Sequence, residues 1–176
     1  MAALHLLNLD KRSVQLLLDS DEEFEQQNKL TLGVNWDLIR ELAKHTRNAL
    51  RKNAFDSGSW GYLAVDADTR NVVGSCGFKG APDRHGSVEI VYLTFPDCEG
   101  QGYATSMAKG LVDIAFRSHS VRRVVAHTLP EKSASTRVLE KAGFTFAGDY
   151  VDAEDAPGWS WILERADVKG KTETKR

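Results

Sequence analysis

Seven consecutive residues, Glu99-Gly100-Gln101-Gly102-Tyr103-Ala104-Thr105, offer the clearest chemistry in the chain. They closely follow an apolar run that reads as a strand, and they open a segment with helical spacing. Two glycines let a backbone turn tightly and approach a ligand closely. The first N–H groups of a helix lack internal partners and point into such a turn, and the helix dipole makes that end attractive to anions. The chemistry on offer is therefore phosphate binding by main-chain amides. An ordinary strand-to-helix loop fits the same glycines, and no GxGxxG or Gly-Lys-Ser/Thr pattern narrows the choice. Cys98 stands beside the loop without a nearby His–Asp pair, as expected of a bystander thiol and not of a covalent acyl carrier. His5, His45, His85, His119 and His127 have no metal-ligand spacing, so no metal is expected.

The rest of the chain has to position that loop. Its 176 residues, 41% hydrophobic and 27% charged, suit one globular domain with a substantial core. A net charge of −2 argues against generic nucleic-acid binding, which needs clustered cations. No apolar run approaches the ~20 residues of a membrane span. Met1–Asn8 is apolar but lacks the basic leader and cleavage site of a signal peptide. Cys76 and Cys98 form no CxxC pair and read as reduced thiols, which suits a cytoplasmic protein.

Along the chain, the first third is helical in style. Ser20 can cap a helix with Glu23 as its capping-box partner and acidic residues in the first turn. Asn35 can cap a second helix carrying Leu38, Ile39, Leu42, Ala43 and Leu50 at helical spacing. The period then shortens. Residues 60–65 and 71–78 read as a hairpin around the turn 66–70, and 88–93 as a third strand. A helix is predicted from 102 to about 118, with Ala104, Met107, Ala108, Leu111, Ile114 and Ala115 on one face. Strand 121–128, helix 133–142 closed by Gly143, and strands 144–151 and 158–163 complete an α/β fold with a mixed, mostly antiparallel sheet. The end after about Val168 reads as a frayed tail.

The run Val88-Glu89-Ile90-Val91-Tyr92-Leu93-Thr94-Phe95-Pro96 with Glu99-Gly100-Gln101-Gly102-Tyr103-Ala104-Thr105 resembles motif A of the GNAT superfamily of acyl-CoA-dependent N-acetyltransferases. Residues Val125-Ala126-His127-Thr128-Leu129-Pro130-Glu131 through Ala134-Ser135, Arg137-Val138 and Leu139-Glu140-Lys141-Ala142-Gly143-Phe144 resemble motif B. The Leu-Glu-Lys-Ala-Gly-Phe ending is similar to the Rim-type branch, which acetylates ribosomal-protein N-termini. The resemblance spans roughly Trp60 to Arg165. It implies a single domain over residues 1–168, with substrate-side helices in 1–56, a cofactor core in 59–165 and a flexible tail at 169–176. It further implies a sheet splayed beside the third strand, with acetyl-CoA as co-substrate in the cleft. Pantetheine would pair with backbone groups near Leu93, Thr94 and Phe95. The pyrophosphate would rest on Gly100, Gln101, Gly102, Tyr103, Ala104 and Thr105.

The motif departs from the family pattern at three positions. Glu99 stands where relatives carry Arg or Gln, Lys132 where many carry Asn, and Leu139 where many carry a proton-donating Tyr. Lys132, Arg137 and Lys141 are read as cations for the cofactor's phosphates, or as a solvated helix face. Acetylating an amine needs a base, because an alkylamine with a pKa near ~10.4 is mostly protonated at neutral pH. Glu89, isolated in an apolar strand run, matches the position of a catalytic carboxylate in relatives; a solvent-facing Glu fits equally well. The oxyanion falls to an N–H around Thr94. Ser135 matches a serine placed near the thioester sulfur in the Rim-type branch, and it equally fits a helix cap.

Trp36 is the tryptophan best placed to line a substrate cleft. Asp149, with Asp152, Glu154 and Asp155, and the group Asp21-Glu22-Glu23 would attract a cationic acceptor if they flank the cleft, or would serve loop solubility and helix-start charge. The expected acceptor is an amine-bearing small molecule, such as a polyamine or aminoglycoside, or a protein N-terminus. Neither nucleic acid nor membrane is expected as a partner; a homodimer fits the fold. The rival readings are a non-catalytic acyl-CoA sensor and an RNA-binding factor using Lys169–Arg176.

Overall fold

A computed structural model describes residues 2–51 and 61–166. Trp60, the start of the expected hairpin, and the tail from Lys169 lie outside the described residues.

Contrary to the helical expectation for the first third, the chain begins with a strand, β1 (Leu4–Asn8). It pairs antiparallel along the edge of β2 (Gly61–Asp66). Its five residues, Leu-His-Leu-Leu-Asn, are too few to display a sustained alternating pattern, so only the partner strand reveals it. Helix α1 (Lys11–Asp19) agrees with the helical first third, although its start was not read; it is capped by Asp10, which accepts the Ser13 N–H at 2.7 Å. Ser20 caps α2 (Asp21–Asn28) by accepting the Glu23 N–H at 3.2 Å. Only half of the expected capping box forms, because the Glu23 carboxylate accepts from Gln27. Before α3 (Trp36–Arg51), Asn35 sends its side-chain amide to Asp97 across the molecule at 2.9 Å. The buried stripe of α3 is Ile39, Ala43, Thr46 and Leu50, whereas the predicted Leu38 is 46% exposed.

The hairpin β2–β3 (Val72–Phe78) forms as expected, followed by β4 (Ser87–Thr94), α4 (Tyr103–Arg117), β5 (Arg123–Thr128) and α5 (Ala134–Ala142). Strands β6 (Thr145–Val151) and β7 (Pro157–Glu164) close the chain. The seven strands lie in the order β1-β2-β3-β4-β5-β7-β6, antiparallel except at β4–β5. One face carries a core in which Tyr62, Ala64, Ile90 and Val124 meet Met107 and Leu111 of α4 and Leu139 of α5. A second core packs Leu63, Val65 and Val72 against α1, α2 and α3. Among the described residues this second core takes none from β5, β6 or β7.

The parallel seam holds only three pairs, Ser87 with Arg123, Val88 with Val124, and Glu89 with Val125. Beyond Glu89 the two strands part. Strand β4 keeps its antiparallel ladder to β3 as far as Gly74 opposite Thr94. Gly74 is needed there, because a Cβ would lie 2.3 Å from the Leu93 carbonyl oxygen. The result is a sheet splayed between β4 and β5, with the N-termini of α4 and α5 at the mouth.

Candidate active site

Alternation fixes which backbone groups face the splay. Phe95 N–H donates to Val73 O and Lys79 N–H to Glu89 O, both at 2.9 Å. In an antiparallel ladder every second residue faces the partner strand, so 89, 91, 93 and 95 are committed to β3. Tyr92 and Thr94 therefore turn their N–H and C=O groups into the gap left by β5. Of the three residues expected to meet a pantetheine, Thr94 presents its backbone, and Leu93 borders the gap with a half-exposed side chain. Phe95 is buried in the second core. The Thr94 hydroxyl oxygen is buried without a hydrogen-bond partner among the described residues.

Below this edge lies a cavity of about 380 Å³ lined by Thr94, Gly100, Gly102, Ala104, Ser135 and Arg137, among others. Gly100 and Gly102 adopt φ of +75° and +86°, which only glycine takes without strain. No side chain caps α4, and its first turn holds no carboxylate. The first backbone bond within the helix runs from Ser106 N–H to Gly102 O, so the amides of Tyr103, Ala104 and Thr105 are available to an anion. Tyr103 contributes backbone alone: its hydroxyl donates to Asp66 Oδ2 at 2.8 Å, pinning the start of α4 to the β2–β3 turn. That bond pushes the Tyr103 hydroxyl up to about 12. Gln101 is exposed and outside the cavity wall; Glu99 belongs to the wall and is exposed as well.

From α5, Ala134, Arg137, Val138 and Lys141 face this cavity at helical spacing, and Lys132 stays outside. Helix α5 is capped not by Ser135 but by Ser133, in a reciprocal box with Thr136. The Ser135 hydroxyl is therefore free at the cavity wall. Leu139 is fully buried in the core. Cys98 touches the cavity, and burial raises its thiol above the ordinary cysteine range, with Asp97 adding to the effect. Such a thiol stays protonated and is a poor nucleophile.

A second cavity, about 390 Å³, lies between α3 and the β3–β4 ladder. Leu42, Val91 and Leu93 form its apolar wall, and His45 and Lys79 are its ionisable side chains among the described residues, apart from the buried Cys76 and the partly buried Tyr92. The two cavities share Tyr92 and Leu93, on the stretch of β4 that has lost its β5 neighbour. Burial pushes the Tyr92 hydroxyl up to about 12.

Glu89 sits where the strands part. Its surroundings are not the apolar ones expected from the strand run: Lys79 Nζ and His127 Nδ1 each lie 3.0 Å from Oε1. Val88 and Ile90 face the α4 core, so their apolar side chains never meet the carboxylate. The His127 separation is that of a hydrogen bond, but Nδ1 is not aligned for one and has no other partner among the described residues. The imidazole stacks on Tyr150, with ring centroids 3.7 Å apart.

The residues expected on the acceptor side are dispersed. Trp36 packs on the second core with Arg40 over its ring, outside the second cavity. Asp149 pairs with Trp159 on the sheet face opposite Tyr150 and Glu89. Asp152 accepts N–H bonds from Glu154 and Ala156 within the β6–β7 turn. Lys79, His127 and Tyr150 were not read from the sequence as members of the Glu89 site. The parity of Glu89 and His127 on two parallel neighbours held the signal, though it could be used only once those strands were known to pair.

The chain resembles known proteins at three levels. It is 32% identical over 104 residues to the uncharacterized N-acetyltransferase YjdG of Bacillus subtilis, covering 59% of this chain and 62% of that protein. It is 32% identical over 97 residues to the uncharacterized N-acetyltransferase p20 of Bacillus licheniformis, covering 55% and 54%. The matched stretch thus spans less than two thirds of these curated relatives. Among solved structures, aminoglycoside acetyltransferase AAC(6')-Ib in complex with coenzyme A and kanamycin superimposes with a TM-score of 0.66 at 16% identity, covering 96% of this chain and 98% of that one. A variant of the spermidine N-acetyltransferase SpeG from Vibrio cholerae gives 0.65 at 16% identity, with the same coverage. At such identity these two speak for the fold alone. The family profile described as "Acetyltransferase (GNAT) domain" matches residues 4–145, and with most of its length matched the chain belongs to that family.

Proposed function

We propose that the protein transfers an acetyl group from acetyl-CoA to a primary amine, by direct attack with both substrates bound. The observation that carries this reading is the junction of two cavities at the unpaired edge of β4, with a carboxylate where the strands part. The first cavity has what a CoA thioester needs. Free amides at the start of α4 suit its pyrophosphate, Arg137 and Lys141 suit phosphate charge, and the backbone of Tyr92 and Thr94 suits a strand-like pantetheine. Bound there, acetyl-CoA supplies an activated acyl group. Glu89 accepts the amine's proton, directly or through one water. The Thr94 N–H stabilises charge developing on the carbonyl oxygen, worth roughly 3 kcal/mol. The free Ser135 hydroxyl is suited to hydrogen-bond the departing sulfur. A thiol with a pKa near ~8.5 leaves without much help, so Ser135 matters less than Glu89.

The N-terminal helices would form the acceptor side, since α3 lines the second cavity. Polyamine and aminoglycoside acetyltransferases share the fold, yet the second cavity presents apolar walls with His45 and Lys79, which favours an amine with an apolar body over a polycation. A protein N-terminus is the second reading, supported by the accessible wall at Val91 and Leu93, 41% and 52% exposed. Acetyl-CoA turnover against benzylamine, a tripeptide, spermidine and kanamycin tests both, with Glu89→Gln as control. Acetylated benzylamine or tripeptide supports the reading. CoA binding with no product from any amine favours the non-catalytic sensor.

A further inference from the structure

The cavity on the α3 side has a charged mouth and an apolar interior. Leu63 belongs to the second core and pairs with Ser75, so by alternation Ser75, Gly77 and Lys79 lie on the α3 face of the sheet. Leu93 and Val91 stand opposite Ser75 and Gly77, and the bond from Lys79 N–H to Glu89 O continues that ladder. Lys79 and Glu89 thus form the next row on the same face, about 7 Å beyond Gly77 and Val91. Gly61 and Gly77 leave the cavity floor without side chains, and a Cβ at Gly61 would come within 3.2 Å of the Thr46 hydroxyl. Leu42, Val91 and Leu93 wall it. His45 and Lys79 are exposed at its rim, and no carboxylate lines it among the described residues.

The Glu89–Lys79 pair is open on both members. Lys79 Nζ lies 3.0 Å from Oε1, whereas Oε2 has no partner among the described residues. A lysine ammonium carries three donors, so two remain after the bond to Glu89. A free anionic oxygen and free cationic donors therefore stand side by side at the mouth of an apolar cavity. That arrangement is complementary to a head group bearing an ammonium and a carboxylate on one carbon. We propose that the acceptor is a free α-amino acid with an apolar side chain. Its ammonium meets Oε2 of Glu89, its carboxylate meets the free donors of Lys79, and its side chain enters the cavity over Gly61 and Gly77. The inference rests on the acetyltransfer reading above and names its acceptor. A polyamine brings no anion to Lys79, a simple amine leaves Lys79 unmatched, and a peptide N-terminus carries its carboxylate too far along the chain. The ammonium gives one proton through Oε2 to solvent. The nitrogen then bonds to the acetyl carbonyl carbon, the C–S bond breaks with its electron pair on sulfur, and the second proton lost by nitrogen ends on that thiolate. The products are the N-acetyl amino acid, the free thiol and one proton.

The test measures kcat/KM at saturating acetyl-CoA for L-phenylalanine, L-phenylalaninamide, phenethylamine and the tripeptide Phe-Gly-Gly. These share one side chain and differ in the carboxylate beside the amine. L-phenylalanine should exceed each of the other three by about tenfold or more, the size of one charge-assisted contact. In Lys79→Met, or Lys79→Gln should that variant not fold, the ratio of L-phenylalanine to phenethylamine should fall to about one, and Lys79→Arg should keep most of it. A ratio taken within one variant cancels whatever the substitution does to Glu89. Equal use of phenethylamine or the amide by the wild type overturns the inference and leaves amine acetylation standing. A tripeptide as good as L-phenylalanine overturns it in favour of a protein N-terminus. A preference for L-phenylalanine that survives Lys79→Met overturns it as well, because the carboxylate is then held elsewhere. Absence of product from every amine, benzylamine included, is a separate outcome: the acetyltransfer reading itself fails, and this inference with it.

Discussion

The two cavities that meet at β4 are built from different materials. On the α4 side the wall is largely main chain: amides released by Gly100 and Gly102, the start of an uncapped helix, and the unpaired backbone of Tyr92 and Thr94. On the α3 side the wall is side chain: Leu42, Val91 and Leu93, with His45 and Lys79. A backbone site can be kept while nearly every side chain around it changes, provided the glycines and the helix start remain. A side-chain site is rewritten by any single substitution. Under the proposed function, the constant donor falls on the backbone side and the variable amine on the side-chain side.

The largest test of the division is Glu89→Gln at the junction. It should lower kcat by ~100-fold or more, with CoA affinity within about twofold of wild type by calorimetry. A matching loss of CoA affinity would erase the division. Next, Val91→Arg should block the α3 side and raise the acceptor KM by more than ~10-fold, roughly the effect of a couple of kcal/mol, with Kd for CoA unchanged. On the other side, Gly102→Ala forces a left-handed backbone on a residue with a Cβ, at a cost of ~1–2 kcal/mol. Kd for CoA should therefore rise about tenfold with the acceptor KM unmoved. Arg137→Ala should weaken CoA binding by only a fewfold, since an exposed pair is worth ~0.2–1 kcal/mol, and high salt should shrink the difference.

The smallest effect lies outside both cavities. Tyr103→Phe removes the hydroxyl that ties α4 to Asp66 and should cost about 1 kcal/mol, seen as a Tm lower by ~2–4 °C. Asp66 carries a pH signature. The Thr69 N–H, chiefly, and then the Tyr103 hydroxyl hold its carboxyl below the ordinary carboxylate range. A lowered carboxyl stabilises the fold above its unfolded pKa and loses that contribution as pH falls through the folded one. The stability gap between wild type and Asp66→Asn should therefore be full above about pH 5 and narrow as pH falls below ~4. A gap that widens in acid would contradict the assignment.

Much of the α4-side cavity was legible from local order. The strand, the two glycines and the apolar stripe of α4 are contiguous, and their geometry follows from short-range rules. The Ser133–Thr136 box and the Gly143 stop were equally local, although the cap fell on Ser133 and left Ser135 free. Less was legible where distant segments meet. Strand β1 is recognisable only by its pairing with β2. The acidic groups looked like an acceptor lure, but Asp152 serves a turn and Asp149 faces away from Glu89.

Sequence alone determined the α/β class, the order of the elements from β2 to β7, and the glycine-flanked start of α4. All of these rest on periodicity and backbone freedom within a few neighbours. Tertiary structure alone decided that the β4–β5 seam ends after three pairs, that α3 walls a second cavity, and that Lys79 and His127 converge on Glu89. Those facts depend on register between strands far apart in the chain, and a shift of one residue would turn each side chain to the other face.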